Sequence, residues 1–186
     1  VRHFKKKDVE NEKIEKIIEA GRFTQTSTNA QNVSYIVVKD NIDKLKKMTL
    51  ESLNELGKKL LDNLNPQTIP YEKYAKMWIN MYESYKTDPK GIDGLFFNAP
   101  AVILVVSDSP VNASLASSNM ELMTNALGLG TFFSGFFIRA ADKNKQIMDF
   151  LSLNENQHIV TCMVIGYPNV KYQRTAPRKD AVISWK

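Results

Sequence analysis

The chain has 186 residues, of which 43% are hydrophobic, so its length and composition are typical of one globular domain rather than a disordered protein. Lysine and arginine number 25 against 20 acidic residues; this mild excess, without interleaved aromatic residues, argues against a nucleic-acid-binding surface. The single cysteine, Cys162, excludes an internal disulfide and a cysteine metal cluster and suits a reducing compartment, so we expect a cytoplasmic protein.

Four elements are predicted in the first half of the chain. Apolar residues at helical spacing predict helices at about Asn11 to Gly21, Asn41 to Leu64 and Tyr71 to Tyr85. The β-rich run Val33 to Val38 predicts a strand. The last of the helices carries a stripe of tyrosine, tryptophan and methionine, which can pack within the subunit, pack across a dimer or cover a flat substrate. The sequence leaves these three roles open.

An uncharged polar loop, Thr24 to Asn32, separates the first predicted helix from the first strand. Its nine residues carry small, hydroxyl or amide side chains. Such a loop can be an ordinary surface connection. Alternatively, its neutral donors and acceptors can bind the edge of a planar heterocycle.

A helix and a following extended segment form the centre of the predicted fold. Small and apolar residues predict a buried central helix, capped by Asn112 or Ser114 and ended by Gly128. Threonine and aromatic residues then predict an extended segment, Thr131 to Phe137, with Gly135 in its middle. These glycines do not predict a dinucleotide-binding loop, because that motif needs a strand before it and a helix after it.

The remaining elements complete a mixed architecture. The apolar run Ala101 to Val106 is typical of a strand buried on both faces, and His158 to Gly166 predicts a last core strand. A helix capped by Asp142 is expected at Asp142 to Leu151, and a final strand is expected at Val182 to Trp185. Strands separated by helices indicate an α+β fold, a mixed α/β sandwich with a central sheet covered by helices, in one domain over 1–186. The longest apolar stretch is too short to cross a bilayer, so no membrane partner is expected.

No familiar side-chain catalyst is visible in the sequence. His3 and His158 lie far apart without metal-ligand spacing, and no serine elbow, carboxylate pair or Walker loop occurs. A cofactor would then supply the chemistry. The uncharged loop, the amides beside Gly135 and the basic tail from Lys171 to Lys179 are suited to a flavin ring edge, its reactive nitrogen and a phosphate, respectively.

Five short motifs, in the same order, resemble landmarks of the FMN-dependent nitroreductase family along nearly the whole chain. Arg2 and Phe4 resemble the end of the family's N-terminal signature, whose two basic residues and serine would precede Val1; we therefore expect that signature to be truncated here. The closing residues look closest to the branch of the family that is fused behind a ferredoxin-like domain. The other four motifs are Thr26-Ser27-Thr28-Asn29-Ala30-Gln31, Asn98-Ala99-Pro100, Ala126-Leu127-Gly128-Leu129-Gly130-Thr131 followed by Gly135, and Val164-Ile165-Gly166-Tyr167-Pro168.

This resemblance implies a nitroreductase-like fold in an intertwined homodimer that binds FMN at the subunit interface. Arg2 would approach the pyrimidine end of the flavin ring, where reduced flavin gathers negative charge. Backbone amides near Ser134 and Gly135 would face the flavin N5, and glycine permits the close approach. The other implied ligands are Thr26, Ser27, Asn29 and Gln31 for the ribityl chain and ring edge, and Arg174 and Arg178 for the phosphate.

The activity implied by the resemblance is a two-step, ping-pong oxidoreduction. NAD(P)H or a reduced ferredoxin-type partner would deliver electrons to FMN, and a nitroaromatic, a quinone or a similar conjugated acceptor would take them at the same site. A flavin-binding protein without turnover, and a specialised reaction such as dehalogenation, remain alternatives. Asn32 and Val33 replace the Pro-aromatic pair that is common after the glutamine, so this wall of the pocket is not predicted.

Overall fold

A four-stranded antiparallel sheet lies between two layers of helices in the computed structural model, which describes residues 1–186. The strands are β1 (Ser34–Val38), β2 (Ala101–Val106), β3 (Gly130–Phe133) and β4 (Ile159–Gly166), and their order across the sheet is β1-β2-β4-β3. The helices are α1 (Asn11–Arg22), α2 (Ile42–Asp62), α3 (Glu72–Thr87), α4 (Pro110–Ala126), α5 (Gly135–Ala141) and α6 (Lys145–Phe150). None of these helices combines the length and apolarity that a bilayer crossing requires.

Strand β2 is buried along its whole length, as its sequence predicts. Successive side chains of a strand point to opposite faces of the sheet. Val102 and Leu104 therefore join the core formed with α2, α3, α5 and α6, while Ile103 and Val105 join the core formed with α1 and α4. An uninterrupted apolar strand is stable here because both faces of the sheet are covered by helices.

Strand β1, in contrast, is an edge strand and only partly buried. It pairs with β2 alone, and only Val38 is buried, whereas Ser34 and Val37 are exposed. The predicted strand thus forms the rim of the sheet. The uncharged loop that precedes them reaches solvent at this rim.

Helix α4 begins earlier than predicted and buries one face rather than its whole surface. Its N-cap is Ser109, whose Oγ accepts a hydrogen bond from the Asn112 amide at 3.3 Å, so the expected caps Asn112 and Ser114 are wrong. Pro110 stands at the first helical position, where its missing N–H costs nothing. Ala113 and Met120 face the sheet, and the opposite face remains exposed.

The segment after β3 also differs from the sequence prediction. The extended chain ends at Phe133, and Gly135 begins α5 instead of lying within a strand. The cause is local, because the Ser134 hydroxyl accepts from the Phe137 amide at 3.4 Å and caps a helix. The next helix, α6, is capped by Asn144 rather than Asp142.

The last 16 residues, from 171 onward, form no regular element and are exposed. The strand expected at Val182 to Trp185 is therefore absent from the single chain, which leaves Val182 and Trp185 almost completely exposed. Helix α3, which carries the aromatic stripe, packs against α2, and its Tyr74 and Trp78 rings meet the Phe136 ring of α5 at 6.2 and 5.8 Å. Ala75 and Trp78 are buried. One face of this stripe is thus core.

Candidate active site at the sheet edges

Gly135 offers an unpaired backbone amide at the edge of the sheet. As the first residue of α5 its N–H has no intrahelical acceptor, and no other atom of the chain accepts from it. The Ser134 N–H, in contrast, donates to the Cys162 carbonyl at 2.9 Å and so continues the β3–β4 pairing. A Cβ atom added at Gly135 would meet nothing within 4 Å, so a ligand can approach this backbone closely.

Arg2 lies at the same edge of the sheet as Gly135. Its guanidinium carbon is 5.0 Å from the ring centroid of Phe132 and 5.8 Å from that of Phe97, within the range of cation–π attraction. The two rings themselves meet edge to face at 5.1 Å. Since Phe132 stands in β3, three residues before Gly135, the structure brings together a fixed cation and a free amide.

Backbone hydrogen bonds attach the N-terminal segment, residues 1–5, to the residues that follow β4. The Lys5 amide donates to the Tyr167 carbonyl at 2.8 Å, and the Asn169 amide donates to the His3 carbonyl at 2.9 Å. Phe4 forms an isolated bridge with Pro168. Gly166 makes room for this contact, because a Cβ there would lie 2.8 Å from the Phe4 ring.

Charged side chains make further contacts with Tyr167, beside the N-terminal segment. The Tyr167 hydroxyl donates to the Glu10 carboxylate and accepts from Lys13 Nζ at 2.9 Å, and Lys7 Nζ lies 4.0 Å from the Tyr167 ring centroid. The hydrogen bond from Tyr167, followed by one from the backbone, lowers the pKa of Glu10 to about 2. The Tyr167 hydroxyl also raises the pKa of Lys7, so both groups stay charged at neutral pH.

The predicted polar ligands lie in the loop before β1, at the opposite edge of the sheet. Ser27–Asn29 form a 3₁₀ turn, and Thr28, Asn29 and Gln31 all have positive φ, at 53°, 53° and 49°. The Gln31 amide donates to Thr26 Oγ1 at 3.0 Å, which closes the loop on itself. The side chains of Ser27, Asn29 and Gln31 remain exposed.

Asn112, in the first turn of α4, anchors this loop to the body of the protein. Its Oδ1 accepts from the Ser27 amide at 3.2 Å, and its Nδ2 donates to Asn32 Oδ1 at 2.8 Å. Asn112 is buried, so these bonds are shielded from water. The sequence had suggested Asn112 as a helix cap; it is instead a clamp for the loop.

One chain does not bring the two groups of residues together. The loop precedes β1, Gly135 follows β3, and β2 and β4 lie between these edges. At the usual strand spacing of about 4.8 Å, the edge strands are roughly 14 Å apart. Helices cover both faces of the intervening strands, so a ligand cannot lie across the sheet.

The tail arginines belong to neither group. Arg174 and Arg178 are exposed, and the one hydrogen bond that either makes runs from Arg178 to the adjacent Pro177 carbonyl at 3.3 Å. Gly135 also borders a cleft of about 860 Å³ between α5, α6 and the segment before β4. Ile138, Met148 and charged groups such as Arg139 line this cleft.

The sequence of the chain matches one known protein family. A sequence model described as the nitroreductase family matches residues 1–167. No curated protein sequence matches the chain.

Solved structures with the same fold cover nearly the whole chain at low identity. A nitroreductase with bound FMN from Bacteroides fragilis has 16% identity and a TM-score of 0.72, with 100% of this chain and 93% of that chain covered. A nitroreductase with bound FMN from Desulfitobacterium hafniense has 19% identity and a TM-score of 0.67, with 100% and 92% covered. An oxidised iodotyrosine deiodinase bound to FMN and 3-iodo-L-tyrosine has 18% identity and a TM-score of 0.69, with 100% and 93% covered.

Proposed function

The chain belongs to the nitroreductase family; on that premise we propose that it is an FMN-dependent oxidoreductase of nitroreductase type and that two copies of it share each FMN site. Gly135 carries this proposal, because its amide is unpaired and the space where a side chain would stand is open, at the same edge of the sheet as Arg2. Bound FMN would supply the electron transfer, taking electrons from one reactant and giving them to another. The residues of this chain bind the cofactor, orient it and adjust its electrostatic surroundings.

The β3 edge fits the reactive part of a flavin. The Gly135 amide can donate a hydrogen bond to a ring nitrogen, and the absence of a side chain allows the ring to approach the backbone. The guanidinium of Arg2 is permanently charged and can favour the negative charge that reduced flavin carries at its pyrimidine end. Ser134 would contribute through the cap that starts α5, since its own amide is already bonded.

The loop at the β1 edge fits the remainder of the cofactor. The exposed side chains of Ser27, Asn29 and Gln31, together with the half-buried hydroxyl of Thr26, would bind the ribityl chain and the ring edge. Arg174 and Arg178 would bind the phosphate, because a guanidinium fork matches phosphate oxygens. Since the loop lies on the far edge of its own sheet, a second copy is the natural source of these groups.

Exposed apolar surface supports a homodimer. Val111, Leu115 and Leu122 form one stripe along α4 and are 67%, 50% and 67% exposed. The apolar residues of the tail are also largely exposed, and Trp185 is 91% exposed. A partner subunit that covers the stripe and receives the tail would bury both.

The proposed donor is NAD(P)H or a reduced ferredoxin-type protein, and the proposed acceptors are nitroaromatic, quinoid or similar conjugated compounds. No side-chain acid or base is required in this scheme, because the protein supplies orientation and a tuned electrostatic environment. We place the enzyme in the cytoplasm, as the single reduced thiol suggests. Dehalogenation is a narrower possibility, since one structure of the same fold is a deiodinase.

An anaerobic titration tests the function. Purified protein is loaded with FMN, and its visible spectrum is followed during addition of NADH, NADPH or reduced ferredoxin. We expect one donor to bleach the flavin absorbance and a nitroaromatic or quinone to restore it. A yellow protein that no donor bleaches would contradict the oxidoreductase and favour a flavin-binding protein, and a protein that retains no FMN would contradict the whole assignment.

A further inference from the structure

The turn before β2 holds an aromatic residue in an unusual backbone conformation. Phe97 and Asn98 both have positive φ, at 56° and 53°. Left-handed backbone is unfavourable for a bulky side chain and persists where surrounding structure enforces it. Asparagine tolerates this conformation, but phenylalanine does not, so the conformation of Phe97 needs a cause outside its own chemistry.

The cause is the buried carboxylate of Asp93. One of its oxygens accepts from the Leu95 and Phe96 amides, both at 2.9 Å, and the other accepts from the Asn98 amide at 3.2 Å. These three bonds fold the chain around the carboxylate and fix the residues on both sides of Phe97. A charged acceptor is well suited to this, since hydrogen bonds to it are stronger than neutral ones.

Lys46 of α2 neutralises this carboxylate inside the protein. The Lys46 Nζ lies 3.6 Å from Asp93 Oδ2, and the two side chains are 8% and 4% exposed. Lys46 also lies 3.1 Å from the exposed Asp43. A buried carboxylate without a partner is costly, so Lys46 stabilises the carboxylate around which the turn folds.

The fixed turn presents the Phe97 ring to Arg2. Phe97 meets Phe132 edge to face, and the guanidinium of Arg2 lies over both rings, as described above. Arg2 is exposed and makes no salt bridge, so these rings are its defined partners. An exposed arginine without such partners would populate many rotamers.

We propose that Phe97 and Phe132 are positioning residues that hold Arg2 at the edge of the flavin site, and that the Lys46–Asp93 pair acts through the Phe97 turn. This inference rests on the proposed function. The extent to which Arg2 stabilises reduced FMN then depends on residues that need not touch the cofactor. Their effect appears as a change in the ratio between the dissociation constants of oxidised and reduced FMN, which is linked to the midpoint potential.

A double-mutant cycle tests the proposal. Arg2→Gln should lower the oxidised-to-reduced ratio roughly tenfold, and Phe97→Leu should lower it roughly threefold. The double variant should match Arg2→Gln alone, because Phe97 acts only through Arg2. Phe97→Tyr keeps the ring and should restore the wild-type ratio. Additive effects, or an unchanged ratio in Phe97→Leu, would overturn the proposal.

Phe23 provides a matched control. Its ring lies 4.2 Å from the Arg22 guanidinium carbon, and it is 70% exposed on α1's C-terminal side. Phe23→Leu therefore removes an arginine–phenylalanine contact of the same kind and should leave the ratio unchanged. A change equal to that of Phe97→Leu would show a general effect of losing a surface ring and would overturn the assignment.

A measurement without flavin separates this inference from the function. The Arg2 Nε–H resonance of the free protein should be shifted by the ring currents of Phe97 and Phe132, and Phe97→Leu or Asp93→Asn should move it toward the position of a free arginine. An Arg2 resonance that neither variant moves would overturn the positioning role. If the wild-type protein binds no FMN, the proposed function is wrong. If it binds FMN and the variants give the same ratio and the same Arg2 resonance as wild type, the positioning proposal alone is wrong.

Discussion

At the scale of single residues, Glu10 makes the stability of the contacts beside the N-terminal segment, residues 1–5, depend on pH. Its folded-state pKa of about 2 is below the ordinary value of 4.5, because the Tyr167 hydroxyl and a backbone amide donate to the charged carboxylate. A carboxyl with a depressed folded pKa stabilises the fold above its unfolded pKa, and this contribution is lost as pH falls through the folded pKa. The contribution should therefore be complete above about pH 5 and fade towards pH 2.

We predict that Glu10→Gln lowers the thermal midpoint at pH 7 and that the difference from wild type shrinks between pH 5 and pH 2. Tyr167→Phe removes the main donor and should behave in the same way. Thermal unfolding followed by circular dichroism across this pH range checks both variants. A difference that is constant with pH would contradict the assignment of the low pKa to the Tyr167 hydrogen bond.

Gly135 separates cofactor binding from stability. Because a Cβ there meets nothing within 4 Å, Gly135→Ala should change the free energy of unfolding by less than about 0.5 kcal/mol. The same methyl group would face the flavin, so the affinity for FMN should fall roughly tenfold, as measured by quenching of flavin fluorescence. Tight FMN binding by this variant would contradict the placement of the ring beside Gly135.

Gly57→Ala is the matched control and should show the inverse result. A Cβ at Gly57 would lie 2.8 Å from the backbone oxygen of Ala75, so α2 and α3 must move apart. Stability should fall, while the folded fraction binds FMN with wild-type affinity.

At the scale of elements, α4 has one face buried against the sheet and an opposite face that is exposed. Met120 is fully buried against the sheet, and replacing such a side chain by alanine removes apolar contacts and leaves a cavity. Met120→Ala should therefore lower the free energy of unfolding by about 2–5 kcal/mol in urea denaturation. Met77, on α3, is 39% exposed, and Met77→Ala should cost less than about 1 kcal/mol. Equal losses in the two variants would contradict the buried placement of Met120.

The elements with strong patterns were predictable, and their ends were less so. The apolar run of β2 and the helical spacing of α2 reflect burial, which their own residues determine. The start of α5 at Gly135 depends on the Ser134 cap, and an aromatic segment hides this signal because aromatic residues also favour strands. The absent strand at Val182 to Trp185 shows that β-rich composition needs a neighbouring strand to pair with.

The same distinction applies to the candidate site. Resemblance identified Arg2 and Gly135, and the structure places them on one edge. Asp93, Phe97 and Lys46 were not identified, because their contacts join residues from separate segments and leave no local pattern. Only tertiary structure brings a lysine of α2 to the carboxylate that folds the turn before β2.

At the scale of the whole molecule, the exposed stripe on α4 predicts the state of assembly. Leu115→Glu combined with Leu122→Glu places charges on this stripe, so the protein should become monomeric in sedimentation velocity and lose FMN. Ile92→Glu, at a residue that is 96% exposed away from α4, is the control and should remain dimeric with FMN bound. A dimer that persists after both α4 substitutions would place the interface elsewhere.

Because two strands separate the polar loop from Gly135, two different inactive variants of this protein should be able to complement each other in a mixed dimer. If each pocket borrows the loop of one copy and the glycine edge of the other, a copy damaged at Arg2 and a copy damaged at Asn29 can rescue one another. Their mixed pair would contain one pocket that carries both lesions and one pocket that carries neither. Two inactive alleles would then complement when co-expressed, although neither of them works alone.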